Sequence, residues 1–103
     1  DRATQLGALL ATHFDAIAAE DPGITDSRGL GPMRALELCN PVTCEPDKER
    51  VGRVIDEAAQ RGLILLRAGV HGNVIRVLVP LVITDAQVEE SVQILRQALE
   101  ATR

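Results

Sequence analysis

The stretch from Gly72 to Leu81 constrains the fold most, because it is an apolar segment with one arginine, Arg76, near its middle. The residues from Val74 to Val79 favour a strand. A second apolar strand, predicted from Leu63 to Ala68, precedes it across a glycine-bearing connection, which indicates an antiparallel hairpin. An ionised group in such surroundings persists only with an anionic partner. We therefore expect Arg76 to be at least half buried and to contact another residue or a ligand.

Three segments have the residue spacing of amphipathic helices. The first runs from Thr4 to about Glu20, and the second begins around Pro46 to Glu49 and ends at Arg61 and Gly62. A capping box at Thr84 to Gln87 begins the third. The residues expected to face the core are Leu6, Leu9, Leu10, Phe14 and Ile17 in the first helix, Val51, Val54, Ile55 and Ala58 in the second, and Val88, Val92, Leu95 and Leu99 in the third.

The remaining elements set the fold class. Ile24 to Arg28 leads into a turn or bulge at Gly29 to Pro32, and Met33 to Cys39 is the first predicted strand. The order helix, strand, helix, strand, strand, helix predicts an α+β fold, a small antiparallel sheet of about three strands with helices packed against it. A chain of 103 residues is one domain, residues 1–103. Strands this apolar are typical of sheets covered on both faces, so we expect a further layer over the second face.

Composition excludes several classes of function. The net charge is -4 and the chain has one Phe and no Trp or Tyr, so it offers neither a basic stripe nor a stacking platform for nucleic acid. No apolar run approaches the length of a membrane span, and we expect no membrane partner. Two cysteines predict free thiols and a cytoplasmic location. Cys39, Cys44, His13 and His71 lack the spacing of a metal motif, so no metal ligand is predicted.

Several segments carry a resemblance to a known family. Arg28 to Met33 fits the pattern R-G-x-G-x-M, and the segments Arg61 to Leu66, Gly72 to Arg76 and Pro80 to Asp85 follow in the same order. With these motifs the chain resembles the C-terminal small domain of class III pyridoxal-phosphate aminotransferases, the 4-aminobutyrate aminotransferase group in particular. The resemblance covers nearly the whole chain. It implies that these residues are the C-terminal part of a longer enzyme, and a first residue other than Met agrees with this expectation.

The resemblance implies a role for one residue. The arginine of the family's N-V-I-R strand binds the α-carboxylate of the substrate, and it corresponds to Arg76. A guanidinium grips a carboxylate through two parallel hydrogen bonds, which fixes the Cα beside the cofactor. The implied reaction moves an amino group from 4-aminobutyrate or a similar ω-amino acid to 2-oxoglutarate. No catalytic residue of the reaction is expected in this chain.

The resemblance also implies a cofactor and partners. Pyridoxal 5'-phosphate is held covalently by a lysine, but Lys48, the single lysine here, lies between Asp47 and Glu49 at a predicted solvent-facing helix start. The cofactor lysine is therefore expected outside this chain, which alone is expected to be inactive. The implied partners are the large domain of the same chain, amino acid and 2-oxo acid substrates, and further copies in a homodimer or larger homo-oligomer.

Two alternatives remain open at the level of the sequence. Glu37 is the other charge within an apolar strand, so Arg76 and Glu37 could form a buried structural pair. The chain could also be a free-standing α+β module that binds a carboxylate or regulates a partner without catalysis. The first alternative predicts that replacing Arg76 lowers stability, whereas a ligand-binding role predicts that it lowers affinity.

Overall fold

The computed structural model describes residues 1–80 and 82–103, so Leu81, the end of the apolar stretch, lies outside the described residues. Over these residues the chain forms three helices and four strands. They are α1 (Arg2–Glu20), β1 (Ile24–Leu30), β2 (Met33–Leu38), α2 (Lys48–Gln60), β3 (Leu66–Ala68), β4 (Val74–Leu78) and α3 (Asp85–Ala101). The predicted α+β class with an antiparallel sheet is confirmed.

The sheet has the order β1-β2-β4-β3, and every neighbouring pair is antiparallel. The residue pattern does not predict β1, because Ile24 to Arg28 has the composition of an approach to a turn. Asp26, Ser27 and Gly29 are poor strand formers, but they lie on an edge strand that pairs with β2 across a tight turn. Gly31 permits that turn through its positive φ of 57°.

The helices cover one face of the sheet. Alternate strand residues, such as Leu36, Leu38 and Ile75, are fully buried in one apolar cluster with residues of all three helices. The predicted helix stripes are confirmed, with Leu9 and Ile55 only partly buried at the edge of this cluster. The predicted capping box is also present, because Thr84 accepts from the Gln87 amide and the Gln87 side chain accepts from the Thr84 amide.

The other face of the sheet is open. Four of its apolar residues are exposed, with Leu30 83% and Leu78 64% exposed, and Met33 and Leu66 also exposed, whereas Val74 is buried. No layer of the described residues covers them. The cover expected over this face stays a prediction. We call this surface, formed by the outward residues of β1, β2, β4 and β3, the open face.

A buried ion pair joins the ends of the helices. Asp21, the C-cap residue that follows α1, is 3% exposed, and Arg50 in the first turn of α2 is 5% exposed. The guanidinium donates to both carboxylate oxygens, at 3.1 and 2.6 Å, and to the carbonyl of Leu99 in α3 at 3.1 Å. Thr102 accepts a further bond from Nε at 3.4 Å. These contacts fix the three helices relative to one another.

The environment of Asp21 favours its ionised form. Burial alone would raise the pKa of the carboxyl. The hydrogen bonds from Arg50 and from the Gly23 amide, with the charges of Arg50 and Arg103, outweigh that effect and hold the pKa below its ordinary value of 3.8. Arg50 and Asp21 are therefore a satisfied structural pair.

Candidate functional site

Arg76 lies in the middle of β4 and points to the open face. Its register neighbours are Ala35 on β2 and Leu66 on β3, both on the same face. Arg76 is exposed and is not enclosed in the core with its neighbours along the strand. The physical reason is that the helices cover only the opposite face, so the apolar neighbours of Arg76 along β4, Ile75 and Val77, point away from it into the core.

The structure does not pair Arg76 with Glu37. The register places Glu37 opposite Val74, one diagonal step from Arg76. The Glu37 carboxylate instead lies 3.4 Å from Nη1 of Arg28. Within residues 1–80 and 82–103, Arg76 has neither an ion pair nor a side-chain hydrogen bond, and the buried pair predicted as an alternative is wrong. Two acidic side chains engage Arg28, since Asp26 Oδ2 also lies 2.5 Å from its Nη1.

A shallow depression of about 560 Å³ surrounds Arg76 on the open face. Its wall is largely apolar, with two guanidinium groups on one row of the sheet, Arg28 and Arg76, separated by Ala35. The lining residues are Arg28, Gly29, Leu30, Met33, Arg34, Ala35, Ala68, Gly69, Val74 and Arg76. An unpaired guanidinium beside apolar side chains suits a ligand that has a carboxylate next to a hydrocarbon segment.

Gly29 on β1 makes room for a neighbouring side chain on the helix-covered side of the sheet. A Cβ at Gly29 would overlap the Met33 carbonyl oxygen and lie 2.8 Å from Cδ of Arg34. Arg34 points to the helix-covered side, where its Nη2 lies 3.3 Å from Ser27 Oγ and 3.6 Å from Asp15 Oδ1. Gly29 therefore leaves room for the Arg34 side chain to cross β1.

Lys48 does not have the surroundings of a cofactor-binding lysine. It is exposed at the first residue of α2, beside the exposed Glu49 and the capping residue Asp47. An imine-forming lysine needs desolvation or neighbouring cations to lower its pKa. The prediction that Lys48 is a solvated surface charge is confirmed. The residues of this chain do not fit a covalent site for pyridoxal phosphate.

The remaining candidate side chains are dispersed. Cys39 is partly buried at the end of β2, whereas Cys44 is exposed in the following loop, and both are free thiols. His13 on α1 faces Glu89 on α3, with 3.1 Å between Nε2 and Oε1, and His71 is exposed in the connection between β3 and β4. Among the described residues, no three His, Cys, Asp or Glu side chains are grouped in a way that could hold a metal ion. None of the described helices is long and apolar enough to span a membrane.

Arg28 and Asp26 were not predicted as part of the site, and Glu37 was named only as a possible partner of Arg76. A signal was present, because Asp26 and Arg28 alternate with period two, as Ala35 and Glu37 do on the next strand. That alternation identifies a shared face only when β1 is recognised as a strand. The missed element therefore caused the missed residues.

Comparison with known proteins adds a family match. Residues 1–99 match the family described as aminotransferase class-III. The chain is 40% identical over 102 residues to a probable 4-aminobutyrate aminotransferase of Bacillus subtilis (strain 168), and 39% identical over 103 residues to the 4-aminobutyrate aminotransferase GabT of Escherichia coli (strain K12). These matches cover 98% and 99% of this chain but only 23% and 24% of the relatives.

The fold is also similar to solved structures. A Bacillus anthracis aminotransferase superposes with a TM-score of 0.87 at 29% identity, over 97% of this chain and 24% of that structure. An E243 mutant of M. tuberculosis Rv3290C superposes with a TM-score of 0.85 at 30% identity, over 99% of this chain and 22% of that structure. The chain thus spans about a quarter of the length of the proteins that it matches.

Proposed function

The chain belongs to the class-III aminotransferase family, and from that premise we propose that residues 1–103 form the C-terminal small domain of a larger aminotransferase. The parent enzyme moves an amino group from 4-aminobutyrate or a similar ω-amino acid to 2-oxoglutarate. Support for the donor class comes from relatives whose names specify 4-aminobutyrate or, in Pseudomonas putida, 5-aminovalerate. Support for a larger parent comes from a match that uses nearly all of this chain and about a quarter of each relative.

Arg76 carries the proposal. It is exposed in the middle of an apolar strand, and within the part of the chain that the structure describes no carboxylate neutralises it. The arginines of β1 and β2 each have an acidic partner. Arg28 pairs with Asp26 and Glu37, and Arg34 pairs with Asp15. In this proposal Arg76 binds the α-carboxylate of the acceptor through its planar fork and so orients the acceptor carbon.

The cofactor of the parent is pyridoxal 5'-phosphate, which supplies an electron sink for the carbon that exchanges its amino group. Lys48 does not fit its covalent attachment, so the proposal assigns that lysine to a part of the parent outside this chain. This chain then contributes substrate binding and shape, and it does not transaminate alone.

The open face is the proposed contact with the large domain. Leu30, Met33, Leu66 and Leu78 expose apolar surface around the Arg76 depression, and covering them against another domain removes that surface from water. Arg76 would then lie at the boundary of the two domains, where ligand clefts commonly form. The proposal keeps a homo-oligomeric parent, and a cytoplasmic location agrees with two free thiols.

The test compares Arg76→Lys and Arg76→Ala in the full-length protein. A lysine keeps the charge but loses the fork, and an alanine loses both, so both variants weaken binding of 2-oxoglutarate, the alanine by about 100-fold, in line with loss of a charge-assisted bidentate contact. Binding of glutarate, a five-carbon dicarboxylate that cannot accept an amino group, measures the same contact without turnover.

Arg53→Gln is the matched control, because Arg53 is exposed on α2, away from the open face. It should leave both ligands unaffected. Unchanged binding by both Arg76 variants would reject the carboxylate role. A native mass equal to these 103 residues, with no pyridoxal absorbance, would instead favour the free-standing carboxylate-binding or regulatory module.

A further inference from the structure

Glu37 has two arginines within reach on the open face. In the strand register Arg28 stands opposite Ala35, and Ala35 stands opposite Arg76, so the two guanidinium groups flank Ala35 on one row. Glu37 is two residues further along β2 and is therefore a diagonal neighbour of both. Diagonal neighbours in an antiparallel sheet are about 7–8 Å apart, which long side chains span. The carboxylate of Glu37 is thus within reach of two guanidinium groups, and a contact with Arg76 would occupy the donors that a ligand carboxylate needs.

In the structure, Glu37 contacts Arg28. Nη1 of Arg28 lies 3.4 Å from Glu37 Oε1 and 2.5 Å from Asp26 Oδ2. The hydrogen bond with Asp26 is the main cause that raises the pKa of Arg28. Burial, the next largest effect, lowers it, and the charge of Asp26 and the contact with Glu37 add smaller increases. Asp26 therefore fixes Arg28 at the position from which it engages Glu37. The three groups together carry one net negative charge.

We propose that Arg28 is a positioning residue that holds Glu37 away from Arg76 and so keeps the Arg76 guanidinium available for the substrate carboxylate. This inference rests on the proposed function, because it gives Arg28 a task only if Arg76 binds a carboxylate. Without Arg28, the closest acidic neighbour of Arg76 in the strand register becomes an internal competitor for the ligand. Arg28 itself is then a poor second anion site, since two carboxylates already occupy it.

The experiment is a double-mutant cycle on glutarate binding in the full-length protein, with Arg28→Gln, Glu37→Gln and the two changes combined. Arg28→Gln should weaken binding about fivefold, the effect expected when one partly exposed ion pair replaces a ligand contact. Glu37→Gln alone should leave the affinity within twofold of wild type. The combined variant should recover that affinity, because the competitor is gone.

The recovery separates positioning from mere structural support. If Arg28→Gln weakens binding equally with and without Glu37, or does not weaken it, the inference is wrong. Arg53→Gln removes one positive charge elsewhere and controls for a long-range loss of attraction to an anion. An unfolding midpoint shared by all four proteins shows that the fold is intact.

Variants of Arg76, measured in the same assay, separate the positioning role of Arg28 from the carboxylate-binding role of Arg76. Weak glutarate binding by Arg76→Lys with normal binding by Arg28→Gln would overturn only the positioning role. Normal glutarate binding by both Arg76→Lys and Arg76→Ala would overturn the carboxylate role of Arg76, and the inference about Arg28 would fall with it.

Discussion

Arg50 and Arg76 carry the same guanidinium group in opposite surroundings. Arg50 is enclosed by the ends of three helices, where Asp21, a backbone carbonyl and a hydroxyl accept its hydrogen bonds. Arg76 lies on the open face, and in the described residues no acceptor is bonded to it. A buried charge needs a partner within the fold, whereas an exposed charge is hydrated and remains available to bind a ligand. We therefore expect Arg50 to stabilise the fold and Arg76 to bind a ligand.

The same contrast extends to the neighbouring backbone. A Cβ at Gly23 would overlap Nη1 of Arg50, so even the residue beside the buried pair is restricted to glycine by packing. Around Arg76 the neighbours are Ala35, Leu66 and open space. Arg50 thus belongs to a filled interior, and Arg76 to a surface that a second body can cover.

The largest expected effect comes from a substitution that breaks the buried pair of Arg50 and Asp21. Arg50→Met leaves Asp21 charged and without its partner, and it should lower the free energy of unfolding by about 3–5 kcal/mol, as measured by denaturant titration. Arg53→Met on the same helix is the matched control and should change it by no more than about 0.5 kcal/mol. A loss below about 1 kcal/mol for Arg50→Met would contradict the structural role.

A companion variant covers the case in which Arg50→Met does not fold. Asp21→Asn combined with Arg50→Met removes both charges, and it should recover part of the lost stability, because no uncompensated charge remains. Failure of this combination to improve on Arg50→Met would show that the helix-end contacts to Leu99 and Thr102, and not the charge pair, dominate.

A smaller effect appears in the pH dependence of stability. The folded pKa of Asp21 lies below its ordinary value of 3.8, so the unfolded chain binds a proton here at a higher pH than the folded chain does. The contribution of Asp21 is therefore fully present well above pH 3.8, and it is lost as the pH falls through the folded pKa. A carbon-13 titration of the Asp21 carboxyl should give a midpoint below 3.8. A midpoint above that value would contradict the description of the pair.

The smallest expected effect is the change in stability when Arg76 is replaced. Arg76→Gln should change the free energy of unfolding by less than about 0.5 kcal/mol, because an exposed side chain with no partner in the described residues has little to lose. The measurement is the same denaturant titration used for Arg50→Met. A loss comparable to that of Arg50→Met would mean that Arg76 has an internal acceptor and would remove the contrast between the two arginines.

Much of the fold could be predicted from local patterns. The stripes of the three helices and the capping box at Thr84 and Gln87 follow from residue spacing within one segment. The hairpin was also predicted, with a first strand from Leu63 to Ala68, of which the structure forms Leu66–Ala68. The strand Ile24–Leu30 could not be predicted in the same way. Its polar residues are acceptable because it lies at the edge of the sheet, and an edge position is a property of the assembled sheet.

The candidate site, like the fold, could be predicted only in part from the sequence. The sequence by itself determined that an arginine stands in the middle of an apolar strand and that the single lysine begins a helix between two acidic residues. Only the tertiary structure decided which face of the sheet the helices cover, and hence that Arg76 is exposed while Arg34, one strand away, is buried. It also decided that Glu37 contacts Arg28 and that Asp21 contacts Arg50, 29 residues apart. The physical reason is that periodicity specifies which residues share a face, whereas burial and charge pairing depend on what packs against that face.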